Sequence, residues 1–286
     1  MRVGAVFPQT EMGSDAGAIR DLAQAVEAMG FDHLLLYDHI LGADPSGRKP
    51  PLSGPYTVDS SFHEPLVTLG YLAAVTTTLE FTTGVIVLPQ RQTALVAKQA
   101  AEVDLLSGGR LRLGVGTGWN YVEYEALDSN FHDRGKRQEE QIQVMRELWA
   151  NEVVDFEGEW HRIDRAGLNP MPSRQIPIWL GGGDDRLLRR IGRVGDGWIA
   201  PTMSPEKGKG FVERLRSYVR EADRDEDSVG IEARAHVSDG AERWAADAEA
   251  WSALGATHIS MATMDAGLAT PDDHIEAFRQ YREAIG

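Results

Sequence analysis

Short apolar runs that suit strands alternate eight times with amphipathic runs that suit helices, and no stretch of the chain is all strand or all helix. No such unit can bury its apolar face alone. A series of βα units solves this by forming a parallel sheet covered by helices, and eight of them close into a (β/α)8 TIM barrel. The strand-like runs fall at residues 2–7, 33–37, 80–88, 176–180, 197–200, 229–237 and 257–261, with the fourth of the eight carried by Leu111, Leu113 and Val115. Helical spacing of apolar residues marks 15–29, 64–78, ALVAKQAAEVDLL, 136–150, DDRLLRRIGRV, 205–222, 241–254 and 271–285. A length of 286 residues suits one barrel domain, 1–286.

Two segments break the rhythm. Residues 41–64, after the second strand, are rich in Gly, Pro, Ser and Asp and too long for a plain connection, which predicts a lid-like loop. Residues 151–176, after the fourth strand and its helix, read as a hairpin insertion turning at Glu157-Gly158, followed by the extended connector NPMPSRQIP.

Charge and composition narrow the function. With 29 basic and 44 acidic residues the net charge is −15, which opposes binding to nucleic acid or to an anionic membrane. Absence of cysteine excludes disulfides, thiolate metal sites and cysteine nucleophiles. No apolar run reaches membrane-spanning length, and the apolar part of MRVGAVFPQTEMG is too short for a signal peptide. The expectation is a soluble cytoplasmic protein whose partner is a small-molecule substrate.

Barrel chemistry gathers where strands end, so polar residues and glycines at those points are the candidates. Asp38 and His39 follow the second strand. The histidine suits proton transfer near neutral pH, with the adjacent carboxylate fixing its tautomer; bracing of the loop is the other reading. In the third strand Gly84-Val85 interrupts an otherwise buried run, either as a bulge that bends the barrel or as a place where backbone meets a ligand. Gly114, Gly116 and Gly118 in GVGTG leave backbone bare enough to lie against a flat ligand, or serve a tight turn. Gly181-Gly182-Gly183 precedes a helix starting with Asp184 and Asp185, so its amides suit either a phosphate or a helix cap. Arg186, Arg189, Arg190 and Arg193 read as charges on that helix's surface. Trp119, Tyr121 and Tyr124 read as pocket walls or as packing. His63-Glu64 and His132-Asp133 lack a third partner at metal-ligand spacing, so no metal is expected.

The run LPQRQTALVAKQAAEVDLLSGGRLRLGVGTGWNYVEYEAL, followed in order by RGKRQEEQIQVMRELW, DFEGEW, PIWLGGG and GRVGDGW, resembles the luciferase-like monooxygenase superfamily, and most of all its coenzyme F420-dependent oxidoreductase branch. The likeness runs from residue 2 to about 199 and weakens beyond. It implies a luciferase-like barrel with a deazaflavin, or FMN in other branches, across the C-terminal mouth. It further implies a cis peptide at Gly84-Val85 behind the central ring, His39 near the reacting edge with Asp38 beside it, Thr117 and Gly118 against the cofactor, and Gly182 and Gly183 on its phosphate. A homodimer is also implied. One departure stands out: the family's sugar-phosphate dehydrogenases carry a glutamate directly after GTG, where this chain has Trp119, which points to a less polar substrate. The expected activity is hydride transfer between coenzyme F420 and a small organic substrate with His39 handling the proton. An FMN-dependent two-component monooxygenase is the nearest alternative, and a non-catalytic flavin or deazaflavin carrier is the alternative from another class.

Overall fold

The strand-like runs pair in parallel, each with its neighbour, in a sheet that closes on itself in the computed structural model, which describes residues 1–286. In chain order the elements are β1 (Arg2–Val6), α1 (Ala16–Ala28), β2 (His33–Leu36), α2 (Pro65–Ala73), β3 (Glu80–Thr83), β4 (Ile86–Val87), α3 (Thr93–Ser107), β5 (Leu111–Gly116), α4 (Tyr121–Ala126) and α5 (Arg134–Ala150). They continue with β6 (Val154–Glu157), β7 (Arg162–Ala166), β8 (Ile178–Gly181), α6 (Asp185–Val194), β9 (Gly197–Ile199), α7 (Pro205–Glu221), β10 (Gly230–His236), α8 (Ala241–Ala253), β11 (His258–Ala262) and α9 (Pro271–Ile285). The order around the sheet is β3-β2-β1-β11-β10-β9-β8-β5-β4, and β3 also pairs with β5. Because β3 and β4 lie end to end along β5, through Phe81↔Leu111 and Ile86↔Val115, the nine strands fill eight barrel positions. This is the (β/α)8 barrel that the alternation predicts.

Helices cover the outside through apolar stripes such as Ile19, Leu22 and Val26 of α1, whose start is capped by the Asp15 side chain accepting the Gly17 N–H. Three local departures separate structure from expectation. The run 80–88 is not one strand, because Gly84 and Val85 leave the ladder between β3 and β4. The second helix stops at Ala73, short of the expected 78. Residues after GVGTG form the short helix α4, hidden from sequence reading by its six-residue length. Residues 37–64 contain no strand or helix. The insertion does form an antiparallel hairpin, β6 with β7, and Glu140 of α5 accepts the backbone N–H groups of Glu159, Trp160 and His161 at its tip.

The N-terminal end of the barrel interior is polar. Arg112 donates to Glu232 at 2.6 Å and to Glu80 at 2.9 Å, while the His33 ring bonds Ser260 at 2.9 Å and Glu232 at 3.1 Å. Burial opposes the charge on Glu232, yet Arg112 and His33 hold it well below the usual carboxylate range. Beside this group burial, together with the Arg112 charge, pushes His258 down to about 3. Folded His258 therefore stays neutral where an unfolded chain's histidine takes up a proton, so stability falls as pH drops below about 6.5. Urea unfolding of the wild type should lose up to about 1.4 kcal/mol per pH unit to this one group between about pH 6 and 5. In His258→Gln that part of the slope should vanish.

Candidate active site

The mouth of the barrel is shaped by how Val85 is seated. The Gly84-Val85 peptide is cis, and both residues are part-exposed where they follow the buried Phe81, Thr82 and Thr83 of β3. A Cβ on Gly116 of β5 would lie 2.3 Å from Val85 Cγ2, and one on Gly181 of β8 would lie 2.5 Å from Val85 Cγ1. Val85 thus occupies room that only glycines on the two neighbouring strands leave. Beyond it, Asp38 Oδ2 accepts the Val87 N–H at 2.9 Å and Oδ1 accepts from Arg91 Nη2 at 2.7 Å. Arg91 also binds Glu64 at 2.8 Å, tying the end of the 41–64 loop to the same brace.

Above Val85 opens a cavity of about 440 Å³. Backbone of Gly84, Gly118, Gly181 and Gly182 lines it on one side; Tyr37, His39, Tyr56 and Trp119 line it on another, with Pro201, Thr202 and Arg234 completing the wall. The His39 ring sits in an aromatic enclosure, with centroids 4.9 Å from Phe62, 5.2 Å from Tyr56 and 5.4 Å from Trp119. Its Nδ1 lies 3.2 Å from both carboxylate oxygens of Glu123, which is nearly wholly buried on α4. Glu123 also accepts the N–H of Ile40 at 2.8 Å, the N–H of Leu41 at 3.0 Å and the Gln90 amide at 3.2 Å. Burial works against its charge, but these bonds hold its pKa below the ordinary glutamate value. An ionised carboxylate can only accept, so Nδ1 carries the proton that Glu123 takes, and Nε2 is the ring nitrogen left for proton exchange.

A model of the family described as luciferase-like monooxygenase matches residues 1–285. The chain belongs to that family. Among its luciferase-like relatives, Uncharacterized protein Rv0940c of Mycobacterium tuberculosis is 36% identical over 224 residues, 76% of either chain. The F420-dependent glucose-6-phosphate dehydrogenase of Nakamurella multipartita is 28% identical over 293 residues, covering 92% of this chain and 82% of that one. The solved structure of an F420-dependent secondary alcohol dehydrogenase in complex with an F420-acetone adduct superposes with TM-score 0.81 at 17% identity, over 100% of this chain and 99% of that one. At that identity the superposition speaks for the fold.

Within this luciferase-like barrel Asp38, His39, Gly84, Val85, Gly118 and Gly182 all line the mouth cavity. One expectation needs correction. Asp38 does not orient His39: its carboxylate is taken by Arg91 and Val87, and Glu123 does that task instead. Gly183 is exposed and lies outside the cavity, and the start of α6 is closed by its own Asp184, which accepts the Leu187 N–H at 3.0 Å. That cap takes the Leu187 amide alone. Thr117, whose carbonyl accepts the Tyr124 hydroxyl at 2.7 Å, lines a second cavity of about 640 Å³ with His132, Arg134, Lys136, Arg186 and Arg190. Arg186 and Arg190 are thus more than helix-surface charges. Of the three aromatics after GVGTG only Trp119 faces the mouth; Tyr124 is buried, and the Tyr121 hydroxyl donates to the Pro50 carbonyl.

Glu123 and Arg234 are the site residues that sequence reading passed over. Glu123 stands three residues after Asn120, where it resembles the acidic half of a capping box. Arg234 was signalled only as a charge among apolar residues in the strand-like run 229–237. The Glu123 assignment predicts that the ring nitrogens of His39 give an Nδ1–H tautomer by ¹⁵N NMR at neutral pH. Glu123→Ala should shift that signal towards Nε2–H and destabilise the chain by about 2–4 kcal/mol, since several buried donors lose their acceptor. Unchanged ring-nitrogen shifts would mean that Glu123 does not set the tautomer.

Proposed function

We propose that this protein is a coenzyme F420-dependent oxidoreductase that exchanges hydride between the deazaflavin and a small organic substrate, with His39 as proton donor or acceptor. The observation that carries the reading is the pairing of a bare-backbone floor at Gly84, Gly118, Gly181 and Gly182 with a tautomer-fixed histidine across the same cavity. A planar ring needs the first and substrate protonation needs the second. Membership of the luciferase-like family, with relatives named as F420-dependent dehydrogenases, supports the choice of cofactor.

The residues present fit such a group. A Cβ at the floor glycines would collide with Leu35 at Gly84, Val87 at Gly118, Val85 at Gly181 and Leu187 at Gly182, so these positions stay glycine and the floor of the cavity is flat backbone. The second cavity is lined by Thr117 and Asp184, close in sequence to Gly118 and Gly182 of the first, and the Nε of Arg134 there is buried without a partner. Arg134, with Lys136, Arg186 and Arg190, would hold the phosphate and acidic tail. When bound, coenzyme F420 supplies a ring carbon that carries hydride. His39 Nε2 then holds or takes the proton at the substrate heteroatom, kept in position by Glu123. Phe62, Tyr56 and Trp119 keep water from that face, and the 41–64 loop supplies Pro55 and Tyr56 as a lid. Trp119 fills the space beside His39 with indole, which favours an apolar substrate body over a sugar phosphate.

Titration of the purified chain with F420 and with FMN, followed by cofactor fluorescence, should show binding of F420; tight FMN binding without F420 affinity would overturn the reading and favour the two-component monooxygenase. His39→Ala should keep F420 affinity within about threefold while lowering turnover of any accepted substrate by about 10²–10⁴, the usual scale for loss of a general acid or base.

A further inference from the structure

Arg234, on β10, is only 9% exposed yet faces the mouth cavity. Its sole side-chain partner is neutral: Nη1 donates to the Tyr37 hydroxyl, and the guanidinium lies 5.4 Å from that ring's centroid. Nε is buried with nothing to bond. The nearest carboxylate on its own strand, Glu232, is already taken by Arg112, His33 and Ser260. Contrast Arg112 in the same barrel, which is clamped by two carboxylates. A guanidinium cannot shed its proton, and a buried cation without an anion costs several kcal/mol by the usual scale, so an arginine at this place calls for an anion from outside the chain.

We propose that Arg234 and Tyr37 form the subsite that selects the substrate: a carboxylate docks on the guanidinium while an apolar, preferably aromatic, body lies among Tyr56, Phe62 and Trp119. This names the substrate class of the site described above and rests on that reading. The choice of carboxylate over phosphate follows from donor supply. One guanidinium and one hydroxyl match the two oxygens of a monoanion, whereas a dianionic phosphate needs more donors than this wall presents. The aromatic enclosure around His39 offers apolar surface in the same 440 Å³ cavity, through Tyr56 and Trp119. An organic acid held in this way presents to His39 the part of its body remote from the carboxylate, where the reacting heteroatom stands.

The test is calorimetric binding of benzoate to the full chain, alone and with F420 present, against benzyl alcohol and phenyl phosphate as comparisons. Wild type should bind benzoate at least tenfold more tightly than benzyl alcohol. Arg234→Met should lose at least tenfold in benzoate affinity, Tyr37→Phe a few-fold, and Arg234→Lys should recover part of the loss, all with F420 affinity and thermal melting near wild type. If Arg234→Met does not fold, the Lys and Phe variants carry the same comparison. Equal affinity for benzoate and benzyl alcohol, benzoate binding indifferent to Arg234, or tighter binding of phenyl phosphate would overturn the proposal. So would a tenfold loss of F420 affinity in Arg234→Met, which would give the guanidinium to the cofactor. Failure of the wild type to bind F420 would remove the functional reading, while Arg234-dependent benzoate binding would still support the anion subsite.

Discussion

Everything at the mouth of this barrel follows from the seat of Val85. Its side chain stands in the gap left by Gly116 and Gly181, so the strands on either side must be bare at those points, and the third barrel strand must break into two pieces around it. Interiors are close-packed, and no larger residue fits either glycine position without moving Val85. Asp38 fixes the far side of the break by accepting the Val87 N–H, and Arg91 neutralises that buried carboxylate. The floor of the cavity is therefore rigid before any ligand arrives, the condition a site needs to align two reactants.

The two ends of the barrel divide the work. At the N-terminal end Arg112, Glu232, Glu80 and His33 pair their charges with one another, which makes that end a matter of stability. At the C-terminal end the satisfied groups hold unsatisfied ones in place: Glu123 spends its oxygens on the backbone of Ile40 and Leu41 and on His39, so that one ring nitrogen remains available. Arg234, two residues along β10 from Glu232, stands where the first arrangement gives way to the second. One strand thus carries a neutralised charge below and an open one above.

The barrel itself was legible in sequence because its cause is local: each apolar run and each amphipathic run carries its own period, and eight repeats of the pair admit few other folds. His39 was legible because it directly follows a buried strand. The glycines were legible as necessary but not as to purpose. Gly116 and Gly181 serve Val85, while Asp184 caps the helix behind the triplet through the Leu187 amide. Asp38 adjoins His39 in sequence, yet successive residues beyond a strand point opposite ways, and the carboxylate that meets the imidazole comes from 84 residues further on.

Sequence by itself determined the fold class, the neighbourhood of the site and the family, since all of these depend on patterns within single segments. Only tertiary structure decided which carboxylate orients His39, which arginines face a cavity rather than solvent, and which buried guanidinium lacks an anion. Those are relations between strand ends, and strand ends far apart in the chain meet only once the sheet has closed.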